Sequence, residues 1–147
     1  MFPYTSFLTI IHLIGLALGT GAASVKLVLL LKCRNDYMFI PSYLNVARPI
    51  TKVLILGMIL LTLSGILWLL NGYPLMVILI IKLVLVLGLW VLGPVIDNVV
   101  EPKFRALAPG PDQAVTSEFI RALNNYLTIE IIATSLFYII ILYWILV

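Results

Sequence analysis

Four uninterrupted apolar runs, residues 6–31, 50–70, 74–96 and 123–147, dominate the chain. Each reaches the roughly 20 residues a helix needs to cross about 30 Å of hydrocarbon. Lipid admits only helices and closed barrels, because every backbone N–H and C=O must find its partner inside the protein. The runs lack the strict alternation of a barrel strand, so they read as helices. The chain is 63% hydrophobic and 10% charged, with a mean hydropathy of +1.20; soluble domains carry about 25% charged residues. The expectation is an all-α integral membrane protein, one domain over residues 1–147, folded as a four-helix up-down-up-down bundle in a lipid bilayer. The first run is too long for a signal peptide and has no basic leader, so it reads as a span.

Charge placement predicts the topology. The first connection and its flanks carry Lys32, Arg34, Arg48 and Lys52, and the third carries Lys103, Arg105 and Arg121. The second is the uncharged turn "NGYP". The positive-inside bias puts loops 32–49 and 97–122 in the cytoplasm and both termini outside, in the cell (inner) membrane. Tyr4, Trp68, Tyr73, Tyr143 and Trp144 then form an outer aromatic belt. Thr116 is placed to cap the fourth helix, with Glu118 near its positive end. Pro94 predicts a mild kink, and Pro49 fits a first helical turn. The partly apolar segment 37–46 reads as lying along the cytoplasmic interface.

Several function classes have no support. No nucleophile–base pair, phosphate loop or metal-ligand spacing is present. One cysteine, Cys33, allows no intrachain disulfide. A net charge of +3 on so apolar a chain gives no reason to expect nucleic acid.

The first run contains a pattern. At 100° per residue, His12, Gly15, Gly19, Ala22, Ala23 and Lys26 share an arc of about 100°. Small residues at four-residue spacing let another helix approach closely, so this face is expected to meet protein rather than lipid. At 1.5 Å per residue the polar groups sort into two layers. His12, about 9 Å from the outer end of its span, Lys82, about 10–12 Å from the outer end of the third, and Ser64 make an outer layer that Tyr138 could reach. Lys26 and Glu130 make an inner layer and are expected to form an ion pair that holds helix register. Asn124 and Asn125 read as interfacial polar residues. A lysine such as Lys82, flanked by apolar residues, costs about 2.5–3.5 kcal/mol in a span and calls for an acceptor or anionic group nearby.

A first-span histidine followed by glycines, the stretch Leu61-x-x-Ser64-Gly65-Ile66-Leu67 and a lysine early in the third span resemble the copper-resistance-D-like and HemJ-type group of small prokaryotic membrane proteins. That resemblance implies haem b, with His12 as an axial ligand and Lys82 beside the cofactor. It departs in lacking the basic, aromatic continuation after the histidine. The methionines are scattered, which disfavours copper. Two readings stay open. In one, the outer layer is a haem b or quinone site for electron transfer, lined by His12, Lys82, Gly15, Gly19 and Ser64, the glycines leaving room for a flat ring. In the other, no cofactor binds, and the chain is a packing subunit of a membrane complex or a homo-oligomer. A small transporter or channel with a polar path through Lys82, His12, Glu130 and Lys26 is a third.

Overall fold

Long apolar sequence becomes long helix in the computed structural model, which describes residues 2–72, 74, 76–110 and 113–146, with side chains from 5 to 143 among them. Helix α1 covers Phe2–Asn35, α2 Ile40–Leu70, α3 Val77–Val95, α4 Glu101–Leu107 and α5 Ser117–Leu146. A π-helical turn, Ile96–Val100, joins α3 to α4 without a break. The four spans are therefore α1, α2, α3 with its π turn and α4, and α5. There is no strand among the described residues. The protein is a four-helix membrane bundle. Its end carrying the Lys- and Arg-rich connections is called the basic end below, and the opposite end the terminal end.

The connections are tight. After α1, Asp36 accepts a hydrogen bond from Met38 N at 3.0 Å, and a 3₁₀ turn, Tyr37–Phe39, leads into α2. At the other end of α2, Gly72 has φ +83°, a left-handed value that glycine adopts without steric cost after a helix. Thr116 Oγ1 accepts from Phe119 N at 3.1 Å, so a side-chain cap opens α5.

α1 and α2 form the scaffold. A Cβ on Gly15 would stand 2.9 Å from both Gly57 O and Leu61 N, and one on Gly57 would overlap the backbone of Gly19. The two backbones therefore meet where neither helix has a side chain, the arrangement that favours association in lipid. α3 is more peripheral: 6% of its span window is buried, against 33% for the first span and 39% for the fourth. Val77, Val84, Leu87 and Val91 are exposed along it, as suits a helix facing acyl chains. The principal core gathers toward the basic end, where Tyr43, Phe104, Phe119 and Tyr126 are fully buried with Leu30, Cys33 and Leu123.

Three boundaries differ from the expectation. α2 begins at Ile40, not near residue 50, so most of the expected loop 32–49 is helix. Pro41 takes the first turn, and Pro49 lies inside α2. Residues 37–46 do not lie flat on an interface, because Ile40 and Tyr43 point into the core at 1% and 0% exposure. The expected loop 97–122 is helical to Leu107. Pro94 removes one backbone donor, and the wider π turn that follows carries the chain onward. α5 starts at Ser117 rather than 123.

Candidate functional site

The basic half of the bundle contains a buried charge cluster built from all four spans. Lys26 reaches inward from the small-residue face of α1 and is 2% exposed. Its Nζ lies 2.8 Å from Glu130 Oε1 on α5, 3.6 Å from Glu101 Oε2 on α4 and 3.8 Å from Asp97 Oδ1 on the π turn. The ammonium also stands 5.5 Å from the centre of the Tyr126 ring, near enough for a cation–π attraction. Glu101 is held from its other side: Arg105 Nη2 donates to Oε1 at 3.1 Å, and the Tyr126 hydroxyl donates to Oε2 at 3.1 Å. Tyr43 on α2 donates to the Tyr126 oxygen at 2.9 Å. Arg105 also donates to Leu44 O at 3.3 Å, which ties α4 to the start of α2.

The cluster is unevenly satisfied. Glu101 has two hydrogen-bond donors besides Lys26. Glu130 Oε1 meets Lys26 as an ion pair without hydrogen-bond geometry. Asp97, 27% exposed at its side chain, has the longest of the Lys26 contacts. Two hydroxyl oxygens, Thr51 Oγ1 on α2 and Thr134 Oγ1 one turn beyond Glu130, are buried without a partner.

A cavity of about 340 Å³ lies against this cluster. Lys26, Asp97, Glu130 and Thr51 line its polar end, while Met58, Leu89 and Phe137 belong to its apolar wall. Its rim includes Ile55 and Trp90, exposed at 39% and 36%. Both belong to membrane spans, so the mouth between α2 and α3 opens toward lipid. Trp90 Nε1 donates to Thr62 Oγ1 at 3.0 Å and bridges α3 to α2 on the terminal side of the mouth. A second cavity of about 260 Å³ is lined by Arg48, Asp97, Glu101, Pro102 and Arg105. Asp97 borders both.

Compared with family models, characterised proteins and solved structures, the chain matches none. Its function must be read from its own residues.

The terminal half holds the other set of sequence candidates. His12 Nδ1 lies 2.8 Å from Ser64 Oγ. Ser64 Oγ also lies 2.7 Å from Leu60 O, to which its hydroxyl donates. The imidazole is then the donor to Ser64, which puts its proton on Nδ1 and a lone pair on Nε2. Trp68 covers part of the ring, with centroids 5.0 Å apart. Lys82, on α3, is half-buried. His12 and Ser64 are thus paired across α1 and α2. Gly15 and Gly19 do not leave room for a flat ring, because α2 and the Phe137 ring, 3.3 Å from a Cβ at Gly19, already fill that space. Tyr138 does not join this layer either: its hydroxyl lies 2.8 Å from Ser24 Oγ, toward Lys26. Tyr73 and the side chains of Tyr4 and Trp144, named for the aromatic belt, lie outside the described residues.

Asp97, Glu101, Arg105, Tyr43 and Tyr126 were not among the sequence candidates. The first three had a signal. They recur every four residues with opposite charge between Glu101 and Arg105, a helical spacing. The charges in this stretch read instead as a loop beyond the end of the apolar run. Nothing in the sequence marks the two tyrosines as partners. Among the described residues no group of His, Cys, Asp and Glu is placed to hold a metal ion.

Proposed function

We propose that this protein binds a ligand from the lipid phase in the cavity between α2 and α3 and passes it toward the basic end, acting as a small carrier. The observation that carries this reading is Asp97, which borders both the lipid-facing cavity and the second one toward the basic end. Ionisable residues inside a span are expensive, and they mark pathways when they line a cavity. A purely structural ion pair would not need the adjoining cavity or the unpartnered Thr51 hydroxyl. The rigid α1–α2 pair supplies the fixed wall, and the peripheral α3 supplies the one that moves. In this reading the basic loops face the cytoplasm, both termini face outward, and a second copy or another membrane subunit covers the exposed side of α3.

The test uses what the protein retains. Molecules extracted from purified protein are compared by mass spectrometry between parent and Ile55→Trp, which crowds the mouth. A hydrophobic species held by the parent and lost from the variant supports the reading. Identical extracts, with no species enriched over bulk lipid, refute it.

Haem b at His12 is a second reading, supported by the Nε2 lone pair that the Ser64 contact leaves open. The donor fits, but the space at Gly15 and Gly19 does not. A Soret band lost in His12→Ala would establish it, and a colourless protein would remove it. The wider resemblance to the copper-resistance-D-like and HemJ-type group stands or falls with the same spectrum.

A further inference from the structure

The cavity's polar end holds more acceptors than donors. Lys26 is committed to its carboxylates. Asn98 Nδ2 donates to Pro94 O at 2.9 Å, and Trp90 Nε1 to Thr62 Oγ1. The Thr51 hydroxyl has no partner. On the acceptor side stand Asp97, whose Lys26 contact is long, and Glu130, which shares the same single ammonium. Charge tells the same story. One ammonium faces two carboxylates in the lining, while Glu101 and Arg105 behind them pair with each other. Two carboxyl groups and a single lysine thus line the cavity in mainly apolar surroundings. An acceptor-headed ligand, such as a quinone or a carboxylate, finds little to donate to it and a field that opposes it. A ligand that brings N–H donors and a positive charge satisfies both deficits at once.

Resting on the carrier reading, we infer that the ligand class is a hydrophobic amine in its protonated form, with its ammonium against Asp97 and Glu130 and its hydrocarbon along Met58, Leu89 and Phe137. The cavity, about 340 Å³, accepts a two-ring aromatic or a short branched chain. The Trp90 ring at the mouth offers a cation a favourable face on entry.

Three probes sharing one naphthyl ring separate the head-group chemistry: naphthylmethylammonium, naphthylmethanol and naphthylacetate. Each is titrated by calorimetry into the full chain in lipid nanodiscs, with empty nanodiscs subtracted. The ammonium is expected to bind saturably and at least about tenfold more tightly than the alcohol, the size of one charge-assisted hydrogen bond. The acetate is expected not to bind. Asp97→Asn should remove most of the preference for ammonium over alcohol, weakening the ammonium far more than the alcohol, whereas a fold defect would weaken both alike. Ile55→Trp should weaken every probe; Ala133→Phe, which fills the cavity from α5, gives the same result independently. Equal binding of ammonium and alcohol, abolished by Ile55→Trp, would overturn the amine inference and leave the carrier reading standing. Acetate binding best would also overturn it, making Lys26 the recognition group. If no probe binds, or binding ignores both cavity-filling variants, the inference and the carrier reading both fall.

Discussion

Replacing Lys26 by methionine tests the charge cluster at its centre. Methionine keeps the length and most of the volume of the side chain, so the change is one of charge. In the parent, Nζ lies 2.8 Å from Glu130, 3.6 Å from Glu101 and 3.8 Å from Asp97. Without it, Glu130 is a buried carboxylate at 2% exposure facing two others with no cation beside it. Removing one partner of a buried pair costs about 3–5 kcal/mol, most of it from the charge left behind. Glu130→Gln should cost less, about 1.5–3 kcal/mol, because Lys26 keeps two carboxylates. Asp97→Asn, at 3.8 Å and partly exposed, should cost under about 1 kcal/mol. In Lys26→Met with Glu130→Leu, part of the loss should return, with a coupling of about 1–3 kcal/mol. Recovery should be incomplete, because Asp97 loses its Lys26 contact, although Glu101 keeps Arg105 as its cation. SDS-induced unfolding from mild detergent, followed by circular dichroism, reads these differences. A Lys26→Met variant within about 1 kcal/mol of the parent, with no coupling to Glu130, would show that the cluster contributes nothing as an ionic unit.

Other contacts give separate outcomes. Gly57→Leu should prevent the α1–α2 approach, since a Cβ alone overlaps Gly19; a loss of at least about 2 kcal/mol in the same unfolding assay is expected. Gly65→Ala and Gly88→Ala, where nothing lies within 4 Å, should leave stability unchanged or slightly raised. Ser64→Ala removes the acceptor for His12 and should cost about 0.6–1.7 kcal/mol, the range measured for hydrogen bonds between membrane helices. Nitrogen NMR of labelled histidine should show the proton on Nδ1 in the parent, with that preference lost in Ser64→Ala. Tyr126→Phe should destabilise by about 1.5–3 kcal/mol, because it removes a donor from the buried Glu101 carboxylate.

Much of the architecture could be read in one dimension. Span number follows from apolar run length, since hydrocarbon thickness sets the residues a helix needs. The inward face of α1 follows from helical periodicity: Gly15, Gly19, Ala22, Ala23 and Lys26 are all buried, because small or polar side chains gain more from protein than from lipid. Rise per residue placed Lys26 level with Glu130 and His12 level with Ser64, and these are pairs the fold brings within 2.8 Å. The ends of the apolar runs misled the reading at 40–49 and 97–107, where the helices continue through charged and polar residues because one face still packs into the core.

Depth along the membrane normal is a property of one chain segment, but azimuth about it belongs to the whole bundle. Which faces meet depends on where Gly57 lets α2 close onto α1, and no pattern within α1 specifies that. Asp97 and Glu101 became partners of Lys26 only because the π turn after Pro94 keeps the third span helical into the core. The same packing closed the space beside Gly15 and Gly19 and left one open beside Lys26, Asp97 and Glu130. Hydrocarbon and helix geometry thus account for the spans and the level of each polar group, whereas the cavity and the carboxyl groups that line it arise from rotations that only packed helices impose.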